Sequence, residues 1–252
     1  MLLLECNDLS FSYHTHTGEI SVIKSVSFRI HKGEFVSIVG PSGCGKSTLL
    51  GLLTGILSPE EGSIKIHYKQ KGTQSFYGYM LQQDHLLEWY DIWDNVCLGP
   101  KINHCLDSAC KEYLHTLLTR YQLDSFAHKK PSQLSGGMRQ RAALIRTLAM
   151  KPELLYLDEP FSALDYQNRL NAADDIGKII QKEGKTAVLV THDIGEAISL
   201  SSRVLVLSKR PATIVKEFVL PFQNTGLSSL EIRNLPEFST YFNLIWKELN
   251  TT

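Results

Sequence analysis

Eight consecutive residues, Gly40-Pro41-Ser42-Gly43-Cys44-Gly45-Lys46-Ser47, fit the pattern G-x-x-x-x-G-K-S. Glycines let the backbone curl until successive N–H groups face one centre, a geometry that cradles phosphate. A helix opening directly after the loop adds its positive N-terminal end at the same place. Lys46 has the length to reach the β- and γ-phosphates of a nucleotide, and the Ser47 hydroxyl suits Mg²⁺. Thr48 ends the stretch expected to touch the nucleotide. Cys44 contributes its backbone and no redox chemistry. The context fits: Glu34-Phe35-Val36-Ser37-Ile38-Val39 reads as a short apolar strand before the loop. Ser47 to Thr54 reads as the start of the helix after it.

A second element complements the first. Leu154-Leu155-Tyr156-Leu157 reads as a buried strand and runs straight into Asp158 and Glu159. A carboxylate at that edge, Asp158, can hold the hydration shell of Mg²⁺. Its neighbour Glu159 can orient or deprotonate an attacking water. An apolar strand ending in two acids says little alone; beside a phosphate loop it describes hydrolysis of a phosphoanhydride. Between the two stands Leu134-Ser135-Gly136-Gly137-Met138-Arg139-Gln140-Arg141. Ser135 reads as the N-cap of an amphipathic helix. Its hydroxyl and the bare amides of Gly136 and Gly137 also make a second anion site.

These residues need a scaffold. Leu2 to Tyr13 and Val22 to Ile30 read as strands, with a His-Lys-Gly turn at 31–33. Pro59-Glu60-Glu61-Gly62 turns the chain into a further strand, Ser63 to His67. From Asp84 to Lys130 the texture changes: Trp89, Trp93 and a helical spacing of Ala109, Tyr113, Leu117 and Tyr121 predict a mostly helical insert that Pro131 ends. The two tryptophans could be a surface contact or the insert's own core. Asn168 to Glu183 then reads as helix, and Thr186 to Val190 and Arg203 to Leu207 as strands. Strands alternating with helices predict a parallel sheet with its ligands at the strand carboxyl ends. Tyr241 to Leu249 reads as a terminal helix.

The chain has 252 residues, 43% of them hydrophobic, which suits one large α/β domain with an inserted subdomain. Lys plus Arg and Asp plus Glu are equal at 26 each, so no basic excess points to nucleic acid. Cys6, Cys44, Cys97, Cys105 and Cys110 are odd in number and form no C-x-x-C pair, which reads as reduced thiols. The Met1 to Glu5 opening is too short for a signal segment, and no run approaches the roughly 20 apolar residues of a membrane span. Any role at a membrane would come through a partner.

Leu134 to Met138 resembles the LSGGQ-type signature of ATP-binding cassette ATPases, with Met138 in the variable last position. Other landmarks of that family follow in order. Tyr13 resembles the aromatic that stacks on adenine. Gln82, in Gly-Tyr-Met-Leu-Gln, resembles the glutamine that senses Mg²⁺ and water. Asp165, in Ser-Ala-Leu-Asp, resembles the end of the D-loop, and His192, in Thr-His-Asp, the switch histidine. The resemblance implies a P-loop NTPase fold: a RecA-like parallel-sheet core, an antiparallel β subdomain and an inserted helical subdomain. It places an ATPase domain at 1–220, with the insert at about 84–150, and a helical tail at 221–252. It implies ATP and Mg²⁺ as ligands. Two cassettes, expected to be identical, would sandwich ATP between the phosphate loop of one and the Ser135 turn of the other.

Leu86-Leu87-Glu88-Trp89, Asp94-Asn95-Val96, the stretch Thr191 to Ala197 and the stretch Val204 to Pro211 are similar to one importer branch, which serves nitrate, sulfonate, taurine and thiamine-precursor uptake. In that branch a permease spans the membrane and a separate binding protein delivers solute, so the chain is expected peripherally on the cytoplasmic face. The departures are Glu88 in place of proline, Ser202 in place of aspartate, and Ala212-Thr213 in place of Gly-Arg. A soluble cassette ATPase outside transport is the alternative.

Overall fold

The computed structural model describes residues 1–16, 18–68, 76–222 and 226–251. The first elements are β1 (Leu2–Thr15), β2 (Gly18–His31), β3 (Phe35–Val39), α1 (Lys46–Leu53) and β4 (Glu61–Ile66). Then come β5 (Tyr77–Met80), α2 (Ile92–Val96), α3 (Leu98–Ile102), α4 (Ser108–Arg120), α5 (Gly136–Leu148), β6 (Leu154–Asp158) and α6 (Tyr166–Lys182). The chain ends with β7 (Thr186–Thr191), α7 (Ile194–Leu200), β8 (Arg203–Leu207), β9 (Ile214–Val219), α8 (Ser229–Arg233) and α9 (Pro236–Thr251). Two compact units result: one of residues 1–68 and 186–252, the other of residues 69–185. No helix among the described residues is long and apolar enough to cross a membrane.

The first unit holds the antiparallel sheet β2-β1-β4 and the strand run β7-β3-β8-β9. In β2, Val26, Phe28 and Ile30 are buried while Ser27 and Arg29 face out, the alternation of a sheet with one wet face. The run β7-β3-β8 is parallel, and β9 joins it antiparallel. Its strands are buried along nearly their whole length, which is why they read as unbroken apolar runs. The one polar side chain inside β3, Ser37, is hydrogen-bonded to Ser201. The tail packs within this unit: Ile232 of α8 and Ile245 of α9 join Val39, Ala197, Ile198 and Val206 in one buried cluster. Residues 223–225 and 252 of the tail lie outside the described residues.

The second unit pairs β5 and β6 in parallel, Tyr77 opposite Leu154 and Met80 opposite Leu157. The insert is helical as expected, but its buried stripe is Leu114, Leu117, Leu118 and Tyr121, and Ala109 lies exposed. The start of α4 is held by its cap, Asp107 accepting from the Cys110 N–H at 2.7 Å, without burial of that turn. At the other end of α4, Tyr121 and Arg120 both donate to Glu183 Oε1. The two tryptophans divide. Trp93 stacks on His115 with ring centroids 4.0 Å apart, whereas Trp89 is 70% exposed. The loop that presents Trp89 is built on buried Asn95, whose amide bonds the Leu87 N–H and the carbonyls of Leu87, Tyr90 and Asp91.

One close approach limits the first unit. β1 bulges between Asn7 and Ser10, with Asp8 at φ 49, and β4 crosses the bulge at Gly62. Gly62 has φ 85, and a Cβ there would sit 2.3 Å from the Asn7 carbonyl oxygen. Both the conformation and the contact exclude a side chain. Gly62→Ala is expected to lower unfolding free energy by about 2–4 kcal/mol in denaturant titration.

Candidate functional site

In the first unit the loop after β3 has the shape its sequence predicts. Gly43 and Gly45 have φ of 72 and 123, backbone that side-chain-bearing residues rarely adopt. A Cβ on Gly45 would also meet Val22 Cγ1 at 2.7 Å, and one on Gly40 would meet Cys44 Sγ at 2.8 Å. The loop is therefore packed down on β2 and on its own cysteine, and glycine is what permits it. Burial pushes the Cys44 thiol pKa up, so the sulfur is filler under the loop. Lys46 is 6% exposed, and its Nζ donates to the carbonyls of Gly40 at 2.9 Å and Pro41 at 3.1 Å. The ammonium thus sits inside the curl.

The start of α1 is unlike those of α4, α5 and α6. Those three open on Asp107, Ser135 and Asp165, each accepting a backbone N–H in the first turn. The α1 cap is Gly45, with no side-chain bond and no acidic residue in the first turn. Its first N–H groups are therefore not satisfied by a side-chain cap, and the residues around them bring one cation and two hydroxyls, those of Ser47 and Thr48. The site fits an anion. Tyr13 stands near: the residue is 43% exposed, its ring is packed edge-on against Phe11, and its hydroxyl lies 3.3 Å from Thr48 Oγ1. His192 follows β7 directly. Val39 pairs with Thr191, so the next residues, Gly40 and His192, leave neighbouring strands side by side. Thr191 Oγ1 donates to buried Glu196 at 2.7 Å and accepts from the Asp193 N–H, and Asp193 caps α7. Thr191, Asp193 and Glu196 lie in the Thr191 to Ala197 stretch noted in the sequence, but their support of the His192 turn rests on the burial of Glu196.

In the second unit β6 delivers Asp158 and Glu159. Asp158 Oδ2 accepts a hydrogen bond from the Tyr79 hydroxyl at 3.0 Å. Burial, with the Asp158 charge beside it, holds the Tyr79 phenol pKa well above the ordinary tyrosine range, so it remains a donor. Tyr79 is a residue that motif reading passes over; only the pairing of Tyr79 with Tyr156 places it there. Glu159 has φ 44, a strained conformation for a side-chain-bearing residue and of the sort that gathers at functional positions. Its carbonyl accepts from both the N–H and the hydroxyl of Ser162, which closes the turn. Gln82 is exposed just beyond β5.

Ser135 caps α5 through the Met138 N–H at 3.3 Å. A Cβ on Gly136 would meet Leu164 Cδ2 at 2.6 Å, while nothing lies within 4 Å of one on Gly137. The turn is closed on the Leu164 side and open at Gly137. Asp165 caps α6 and accepts from both the N–H and the Nδ2 of Asn168, which holds its carboxyl below the usual range. The predicted residues therefore fall in two groups: the phosphate loop, Tyr13 and His192 in one unit, and Gln82, Ser135 to Gly137, Asp158, Glu159 and Asp165 in the other.

Comparison with known proteins gives the family. A family model described as ABC transporter matches residues 23–162. The chain is 42% identical over 252 residues to the uncharacterized ABC transporter ATP-binding protein YtlC of Bacillus subtilis, covering 100% of this chain and 97% of that one. It is 36% identical to the taurine import ATP-binding protein TauB of Roseobacter denitrificans, covering 96% and 94%. Among solved structures, the dimeric post-hydrolysis state of the ATP-binding cassette MJ0796, bound to ADP and Pi, superposes with a TM-score of 0.71 at 30% identity, covering 86% of this chain and 99% of that one. This chain belongs to the ABC transporter family, as its ATP-binding and ATP-hydrolysing subunit.

Proposed function

We propose that the chain works as one of two like cassettes beneath a membrane permease and couples ATP hydrolysis to uptake of a small solute. The observation that carries the nucleotide site is the loop after β3, with Lys46 turned into the curl and α1 opening without a side-chain cap. In this reading Gly40 to Thr48 hold the phosphates and Tyr13 stacks on the base. Ser47, Asp158 and Gln82 offer hard oxygens to Mg²⁺, which on binding neutralises phosphate charge. Glu159 takes the proton of the attacking water, and His192 hydrogen-bonds the γ-phosphate. The Ser135 turn and Asp165 serve the partner cassette's nucleotide. Open space beside Gly137 supports that assignment, because a phosphate must approach the backbone there.

Closure then depends on the γ-phosphate. A ligand that touches both cassettes only when they are closed shifts the population toward the closed pair, and cleavage of the bridge releases it. The surface offered to a permease is on the insert. Trp89 stands exposed on a loop fixed by Asn95, which is how a rigid aromatic contact is presented. An open groove of about 270 Å³ with Leu98, Ile102 and Met150 in its walls adds apolar area. The importer branch, and with it a peripheral place on the cytoplasmic face and a separate binding protein, rests on the likeness to taurine import proteins. The solute belongs to the sulfonate, nitrate, taurine or thiamine-precursor class.

Lys46→Ala is expected to abolish nucleotide binding in a fluorescence titration; retained millimolar or better affinity would remove the loop from its role. Glu159→Gln should bind ATP as the wild type does, hydrolyse it at least about 100-fold more slowly, and elute as a dimer only with ATP. Unchanged turnover would take Glu159 out of the role of base. Purification of the tagged protein from solubilised native membranes should bring a polytopic permease with it, and recovery of soluble partners alone would end the transport reading.

A further inference from the structure

Arg210 stands in the stretch Val204 to Pro211, to whose side chains no role was given above, yet it touches the phosphate loop. Its guanidinium NH2 donates to the Gly43 carbonyl at 2.7 Å. Gly43 is a loop residue at positive φ. The contact joins residues 167 positions apart and is made by a side chain that is otherwise exposed. We propose that Arg210 is a positioning residue for nucleotide binding: it fixes the Gly43–Cys44 peptide so that the Cys44 N–H faces the inside of the loop.

The argument begins with the peptide plane. In a trans peptide the C=O and the following N–H point in opposite directions. A cation that holds the Gly43 oxygen on the outer side therefore turns the Cys44 N–H to the inner side. There the N–H already donates to Pro41 O at 3.2 Å, across the curl. Glycine at position 43 is the residue least able to fix this plane for itself, since it crosses φ/ψ space with little resistance. Without Arg210, the Cys44 N–H bond to Pro41 O is left to hold this peptide against a flip that would withdraw one phosphate donor.

The hold is itself rigid. Arg210 sits on a turn closed by Ser208 N–H to Thr213 O at 3.0 Å and Thr213 N–H to Ser208 Oγ at 2.9 Å. Ala212, fully buried, then locks to β2 in both directions: its N–H donates to Val22 O at 2.8 Å and its carbonyl accepts from Lys24 N–H at 3.0 Å. Val22 is also the residue against which Gly45 packs. Loop and turn thus share one foundation, so the distance from Arg210 to Gly43 is set by backbone. The charge is felt in the loop as well: Arg210 is among the groups that oppose the upward push of burial on Cys44.

This inference rests on the reading of the loop as the nucleotide site, and the test separates the two. ADP and ATP are titrated into the full-length wild type, Arg210→Ala, Arg210→Lys and Lys46→Ala, with kcat and thermal midpoint measured for each. Arg210→Ala is expected to weaken both nucleotides by about tenfold, the scale of one charge-assisted hydrogen bond, and to raise KM with kcat within about twofold. Its thermal midpoint should match the wild type, and amide exchange at Cys44 should quicken. Arg210→Lys should recover part of the affinity, since an ammonium also donates. Affinity within about twofold of wild type in Arg210→Ala, with Lys46→Ala unable to bind, overturns the role of Arg210 and leaves the site standing. A fall in thermal midpoint together with kcat makes Arg210 a general structural contact and also overturns it. Wild type that binds neither nucleotide defeats the underlying reading instead.

Discussion

A buried ammonium has to find acceptors, and Lys46 finds them in the carbonyls of Gly40 and Pro41, the first two residues of its own loop. Much of the first unit serves that arrangement. The loop can curl back on Lys46 only because Gly43 and Gly45 accept positive φ, and it stays curled because Gly45 rests on Val22. β3 must end at Val39 for the loop to start at the sheet edge, and burial of β3 between β7 and β8 fixes that end. Leu207, the last residue of β8, lies against Gly40 and bounds the loop from the other side. The lysine gives the loop the charge around which it closes.

Legibility in the sequence follows how local each feature is. The phosphate loop, the acidic end of β6 and the Ser135 turn are short, contiguous and demanding in residue type, so spacing alone exposes them. The elements that motif and periodicity miss are those whose identity depends on neighbours. β5 is four residues long with only Met80 buried, and becomes a strand by pairing with β6. β9 is an edge strand added antiparallel to β8, with mixed exposure along its length. α7 is buried from Ile194 to Ser199, and a helix buried all round carries no 3.6-residue stripe to read. The spacing of Ala109, Tyr113, Leu117 and Tyr121 does mark the helix α4, although Ala109 in its first turn is exposed.

The site shows the same division. Asp158 is visible in the sequence, while Tyr79, which orients it, depends on strand register. His192 and Glu196 stand in one legible stretch, while the bond from Thr191 to Glu196 depends on burial. Candidate side chains are recognised by type, and the contacts that hold them are recognised only by place. That asymmetry is physical: many residues can supply a hydrogen bond to a carboxylate, and few can replace the carboxylate.

Asp84 carries the point further in the second unit. Its Oδ2 accepts from Arg139 Nε at 3.0 Å, its Oδ1 from the Leu86 N–H at 3.1 Å, and its carbonyl from Arg146 at 2.6 Å. Arg139 in turn donates to the Leu134 carbonyl at 3.0 Å, next to Ser135, and Arg146 also holds the His85 carbonyl. The segment that follows Gln82 and the turn that carries Ser135 are therefore fastened to one another by side chains of a single helix, α5. Displacement at either end is resisted by the same charged bonds. In physical terms the unit is a rigid spacer between two loops.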